Sequence, residues 1–345
     1  MQKPIWNNIL LTLIFFTFCG CENELKVAAD WEEVAVVYAA LNPTQSKNYV
    51  RVQRAYLDEK RGALNFSNVQ DSLYFEELDV TILEYRNETL TNTFILRKVD
   101  GDTLGMPKDT GVFYSDQNIL YQLDNPVMPS SYLVNYTYVI TVRNPVTGYS
   151  TTASTPSVGS PEVTEPINDN FSLINFNGTD DQTTLTRFQE GKWARAYSVE
   201  MVIYVEETQK DNPANKEMKE IIWRMVNLGR TRDLTRQEKA TYLVPSINFF
   251  TSLQASLQED NSVERRLINY DINFYGISDD FNTYLSVNEP SIGIIQKKPE
   301  YTNFDNGLGI FASRHIKSFE GYSFPGSTLR HIQESRFTEK LGFLP

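Results

Sequence analysis

Two cysteines stand two positions apart in Phe18-Cys19-Gly20-Cys21, and the chain has no others. A redox pair, one corner of a metal site, or a thiol modified after export would each use such a spacing. Cysteines separated by one residue on an extended chain close a disulfide poorly, because their side chains diverge. A metal site needs further Cys or His nearby, and the only histidines are His315 and His331, near the other end. Other chemistry-bearing residues form no familiar constellation. There is no Gly-x-Ser-x-Gly elbow, and Asp100-Gly101-Asp102-Thr103-Leu104-Gly105 lacks the Lys-Ser/Thr of a phosphate loop. Glu76-Glu77, Glu206-Glu207 and Asp279-Asp280 are adjacent carboxylates, and neighbours on a strand point to opposite faces rather than forming an acid/base couple. Asn175 to Asp181 has the oxygen density of a calcium loop without an EF-hand's alternating acids and terminal Glu, and reads as a hairpin turn. No catalytic residue, metal set or cofactor site is predicted.

The cysteine pair gains meaning from what precedes it. Lys3 is the only charge before Cys21, and an apolar block runs from Ile9 to Phe18, interrupted by Thr12 and Thr17. A bilayer span needs about 20 apolar residues, so this block is too short. A positive start, a short apolar core and small residues make the layout of a secretory signal peptide. Gly20 before Cys21 resembles the bacterial lipobox, whose cysteine is lipidated and becomes the new N-terminus. Phe18 and Cys19 depart from its commonest pattern, and an ordinary signal peptide is the alternative. The lipobox reading discards residues 1–20, makes Cys21 the lipidation site and leaves no free thiol. Buried acyl chains contribute roughly 0.8 kcal/mol per CH₂, enough to anchor the chain firmly when two or three are attached. Acidic Glu22 and Glu24 then begin a tether over 21–32, an arrangement associated by analogy with export to the cell surface.

Composition narrows the partners. Lys and Arg number 32 against 44 Asp and Glu, a formal net charge of −12. Phosphate backbones and anionic membrane faces repel such a chain, so nucleic acid is excluded as a partner and membrane attachment rests on the lipid. Nineteen tyrosines and twenty phenylalanines favour strands and half-buried surfaces. The length suits about two domains, held by packing alone.

The dominant period is two. Val34 to Leu41 reads as a buried strand stopped by Asn42-Pro43, and Tyr49 to Tyr56 as its partner. Residues 62–71 read as a loop or short helix. Leu78 to Arg86 and Thr93 to Val99 form a hairpin around Asn87-Glu88-Thr89. Short strands are expected at Gly111 to Tyr114 and Tyr149 to Ala153, and Leu133 to Arg143 places Tyr136, Tyr138, Ile140 and Val142 on one face. This spacing predicts an antiparallel β-sandwich of immunoglobulin or fibronectin-III type over 33–154. Pro156, Pro161 and Pro166 mark 155–168 as a linker. A second β-rich domain with short helices is expected over 169–345. In it Tyr197, Val199, Met201, Ile203 and Val205 line a long strand that turns at 209–215 into Met218 to Leu228. A further strand covers Leu267 to Tyr275. Helices begin at Pro245-Ser246, with Phe250, Leu253 and Leu257 facing the core, and at Ser278, where Phe281, Tyr284 and Leu285 are expected to do the same.

VVYAALNPTQSKNYVRVQRAYL (Val36 to Leu57), DTGVFYSDQNILYQL (Asp109 to Leu123) and QKKPEYTNFDNGLGIFASRH (Gln296 to His315) resemble two-domain outer-membrane lipoproteins of Bacteroidota. The resemblance implies an N-terminal sandwich, a second β-rich domain and, from those encoded beside TonB-dependent receptors, an accessory role in nutrient capture. It brings no catalytic residues. Asp71-Ser72-Leu73 and Asp102-Thr103-Leu104 are similar to the O-glycosylation triplet of exported Bacteroidota proteins, which would modify Ser72 and Thr103. The expected function is therefore a lipid-anchored, non-catalytic binding or accessory component of an envelope complex, with an outer-membrane receptor as partner. A structural or adhesive surface protein, or a carboxylate-based surface hydrolase, are the alternatives. The glycines of Thr302 to Phe311 suit a tight turn into a final buried strand.

Overall fold

Alternation in Val34–Leu41 becomes β1, whose Ala35, Val37, Ala39 and Leu41 are buried while Tyr38 turns to the opposite face. The computed structural model describes residues 33–55, 73–108, 117–167, 173–177, 181–225, 234, 237–289 and 300–344. Cys19, Cys21, the tether, residues 62–71, Ser72 and the strand expected at Gly111 to Tyr114 lie outside them. After β1 come β2 (Asn48–Ala55), β3 (Asp79–Arg86), β4 (Thr89–Ile95), β5 (Arg97–Asp100), β6 (Ile119–Leu123), β7 (Tyr136–Arg143) and β8 (Ser150–Pro156). The second half holds β9 (Glu162–Glu165), β10 (Gln182–Gln189), β11 (Ala196–Gln209), β12 (Lys216–Met225), β13 (Lys239–Pro245), β14 (Val263–Ile277) and β15 (Leu308–Tyr322). Three helices are described: α1 (Ile247–Ser256), α2 (Asp279–Asn288) and α3 (Gly326–Glu334). The chain is mainly β, with several sheets and few short helices.

One sheet runs through both halves in the order β12-β11-β14-β15-β1-β2-β6-β5. Its junction is β15 lying parallel to β1, with Val37 opposite Gly309 and Ala39 opposite Phe311. Sheets β4-β3-β7-β8 and β13-β10-β9 are separate. Between β3 and β4, Asn87 and Glu88 both have positive φ, as a two-residue hairpin turn of the twist-matching kind requires.

Two apolar clusters form. One draws Val37, Leu41 and Phe311 from the long sheet and Ile82, Tyr138 and Ile140 from β3 and β7. The other joins Met201, Ile203 and Phe274 of the long sheet to Leu185 of β10, Phe249 and Leu253 of α1 and Ile332 of α3. Register puts both clusters on the same face. Ala39 pairs with Phe311, and farther along the same side of β15 His315 pairs with Gly276 and Lys317 with Phe274. The other face is left for different neighbours, α2 among them.

Several expectations meet differences. Residues 155–168, read as a linker, carry the end of β8 and all of β9, and Thr155, Ser157 and Val158 are buried. The three prolines sit beside or at strand ends, where a missing N–H costs little. β7 starts at Tyr136 rather than Leu133, because Ser131 donates its backbone N–H to Val134 and its hydroxyl oxygen accepts from the Leu133 and Val134 N–H groups, closing a turn. The helix from Asp279 buries none of its residues, and Leu285 is 44 % exposed. Its apolar stripe lies over the open face of the sheet instead of a core. By contrast Phe250 and Leu253 of α1 and Leu257 just after it are buried, as the spacing there predicts, and Phe249 is buried with them.

Candidate functional site

The open face of the long sheet holds a cleft of about 810 Å³. Its floor is β1 and β15, where Tyr38 lies beside Ile310 and Ala40 beside Ala312. Small residues at Ala40 and Ala312 leave room that larger side chains would fill.

The β1–β2 loop forms one wall and is held rigid by its asparagines. Asn42 Oδ1 accepts from the Thr44 N–H (3.1 Å) and hydroxyl (2.8 Å), while the Asn42 N–H donates to Asn48 Oδ1 at 2.6 Å. Asn48 Nδ2 returns a bond to the Asn42 carbonyl at 3.3 Å. Such a side-chain-closed turn is what Asn before Pro favours. It directs Lys47 and Tyr49 to the cleft, and Lys47 Nζ stands 3.9 Å from Asp124 at the surface.

The opposite wall is α2. Ser278 and Ser313 fix its start, the Ser278 N–H donating to the Ser313 carbonyl at 3.0 Å and the Ser313 N–H to the Ser278 hydroxyl at 3.3 Å. Arg195 then holds Asp279 through two bonds, at 2.7 and 3.2 Å, and the Tyr301 hydroxyl donates to Asp280. Both carboxylates also sit in the helix's first turn, where the macrodipole favours negative charge. Anchored so, α2 brings Phe281 and Tyr284 over the sheet, and Tyr284 meets Tyr38 edge to face with ring centroids 6.2 Å apart. Burial, with Tyr284 adding to it, pushes the Tyr38 phenol above its ordinary range.

Arg314 of β15 closes the far side of the cleft, and its Nε is buried without a hydrogen-bond partner. Arg51 pairs with Tyr38 across β1 and β2, and so shares the open face. Burial and the charge of Arg51 hold Lys108 below the ordinary lysine range. The cleft lining includes Lys47 and Arg314 and no Asp or Glu.

Asp279 and Asp280 stand at the start of α2, and none of the described residues singled out in the sequence for chemistry lines this cleft. Cys21 and Ser72 fall outside the described residues. Thr103 is exposed in a 3-10 turn over Asp102–Leu104, its hydroxyl donating to the Asp100 carbonyl at 2.8 Å. His315 is buried on β15 with an unpartnered Nδ1, and burial, with Lys317 adding to it, lowers its pKa to about 4. His331 lies on α3 with Nδ1 2.8 Å from the Ser327 carbonyl. Asn175 Oδ1 accepts from Ser327 (2.6 Å) and Thr328 (3.3 Å), tying that segment to α3. Glu206 pairs with Lys216, and Glu207 with Lys219 and Arg265. Glu76 and Glu77 are exposed. Among the described residues no three His, Cys, Asp or Glu side chains converge as metal ligands, and no helix is long and apolar enough to cross a membrane.

Sequence reasoning missed Tyr38, Lys47, Tyr284 and Arg314. One signal was present, since Tyr38 interrupts an aliphatic run at a position of opposite parity to the core. Searches against protein-family models and against curated proteins find no match for this chain.

Proposed function

We propose that this chain is a lipid-anchored, non-catalytic binding component of the bacterial envelope, attached through Cys21 and working with an outer-membrane receptor in capture of a ligand. The observation that carries the binding role is the cleft between α2 and the β1–β2 loop, aromatic on its walls and free of carboxylates in its lining. A carboxylate hydrolase needs two acidic groups converging on its substrate, so this lining favours binding over hydrolysis. Volume and mixed lining are those of a small-molecule site.

The anchor fits the same reading. The tether enters at the start of β1, and the cleft forms near the strand's other end. Tyr38 and Ala40, which line the cleft, stand four and six residues past Val34, about 13 and 20 Å along the strand. We read the architecture as two β-rich packing units, the first with the facing-sheet plan of an immunoglobulin or fibronectin-III sandwich. The two separate apolar clusters support this.

Replacing Cys21 with Ala tests the anchor. The protein is expected to move from the membrane fraction to the soluble one, and unchanged sedimentation with membranes would refute attachment through that cysteine. Co-purification of the wild-type chain, cross-linked in intact cells, with an outer-membrane receptor tests the partnership.

A further inference from the structure

We propose that the cleft takes a small molecule that presents an oxyanion, carboxylate or phosphate, to Arg314 and lays a flat apolar body against Tyr38 and Tyr284. This rests on the binding role given above and names the ligand class. The chain as a whole is strongly acidic, with a net charge of −12, yet this one cleft is lined by Lys47 and Arg314 and by no acid. Arg51 adds a further positive charge beside Tyr38, and burial, with the charge of Arg51 adding to it, holds Lys108 below the ordinary lysine range. Lys47 already has Asp124 3.9 Å away, whereas Arg51 and Lys108 repel one another, and an anion in the cleft relieves that repulsion.

Arg314 is the group that selects the anion. A buried guanidinium nitrogen without an acceptor is costly, and the guanidinium's planar fork matches a carboxylate or phosphate edge. Carboxylates on the surrounding elements are already committed. Asp279 is held by Arg195, Asp280 accepts from Tyr301, and Glu200 accepts from Tyr275 at 3.1 Å and from Arg224 at 3.1 Å. An oxyanion supplied from outside meets the guanidinium where Arg314 lines the cleft. In the same cleft the edge-to-face Tyr38–Tyr284 pair and Phe281 present ring surface, while Ala40 and Ala312 leave room above the floor for a flat molecule.

Isothermal titration of the full-length lipidated chain in detergent, with detergent alone as blank, tests this. The probes are 2-naphthoate, 2-naphthyl phosphate, neutral 2-naphthylmethanol, 2-naphthylmethylammonium, acetate and inorganic phosphate. At least one naphthyl anion is expected to bind about tenfold or more tighter than the alcohol, the ammonium and the bare ions, as one charge-assisted pair implies. The tighter of the two naphthyl anions identifies the oxyanion. Arg314→Gln is expected to weaken the anion by about 10- to 100-fold and leave the alcohol unchanged, with Arg314→Lys recovering part of the loss. Tyr284→Ala, at a half-buried position of α2, is expected to weaken every naphthyl compound alike. Melting temperatures close to wild type show that the variants fold. If the alcohol or ammonium binds as tightly as the anions, or Arg314→Gln leaves anion affinity intact, the oxyanion assignment is overturned; sensitivity to Tyr284→Ala would then still uphold the binding cleft. Acetate or inorganic phosphate binding as tightly as the naphthyl anions overturns the ring contact. No binding by any probe overturns both the ligand class and the cleft as a small-molecule site.

Discussion

At the scale of single residues, the two histidines and the adjacent carboxylates do structural work. His315 shows the cost. Its ring is buried on β15, and desolvation, with the Lys317 charge beside it, favours the neutral form, lowering the pKa from 6.5 to about 4. The unfolded chain therefore binds a proton that the folded chain refuses between those values. This contribution is whole above pH 6.5 and is lost as pH falls toward 4, amounting to roughly 3 kcal/mol at most. Urea unfolding at pH 7.5, 6, 5 and 4 is expected to show that decline, and His315→Leu is expected to flatten it. Asp305 acts in a lower window. Its carboxylate accepts from the Thr152 N–H at 2.7 Å and from the Thr151 and Thr152 hydroxyls, which holds it below its ordinary value of 3.8. Its stabilisation is present above that value and fades only at more acid pH, so the two groups separate in the same titration.

At the scale of elements, the segment Thr302 to Phe311 is the return path that sets β15 beside β1. Asn303 imitates a strand, its Nδ2 donating to the Phe311 carbonyl at 2.8 Å and its Oδ1 accepting the Phe311 N–H at 3.0 Å. Asp305 fastens the same loop to β8. Gly309 has φ +102, and a Cβ there would overlap the Val37 carbonyl of the neighbouring strand. Only glycine satisfies both conditions. Gly309→Ala is expected to cost roughly 2–4 kcal/mol in chemical denaturation, by strain and by separating β15 from β1. Gly105→Ala, at φ +73 with open space around it, is expected to cost about 1 kcal/mol. Equal losses at both glycines would mean that close approach of the two strands contributes nothing. The reading of this segment as a turn into a final strand was legible from its glycines; that the strand runs parallel to the first one was not.

At the scale of the whole molecule, the parallel β1–β15 pair makes the halves interdependent. The first apolar cluster takes Phe304 and Phe311 from the far end of the sequence, and β1 is an inner strand only because β15 covers its edge. A fragment of residues 33–154 therefore lacks part of its core and exposes an apolar strand edge. It is expected to show no cooperative thermal transition by circular dichroism, while the same fragment co-expressed with residues 300–345 regains one. A sharp transition of the fragment alone would show that β15 is dispensable to it. The cleft belongs to this scale too, since Tyr38, Lys47, Tyr284 and Arg314 meet only once β15 has docked and α2 has been carried across the open face.

The sequence by itself determined what is local: the strand alternation, the hairpin between β3 and β4, the core face of α1, and the expectation of a lipidated Cys21. Each depends on residues a few positions apart, whose periodicity or turn chemistry is written along the chain. Tertiary structure alone decided which strands are neighbours, that α2 lies over a sheet face instead of a core, and that two cations with no acids line one cleft. Those facts depend on register between segments as far apart as Val37 and Gly309. A period of two states that a strand has two faces and leaves open what each will meet.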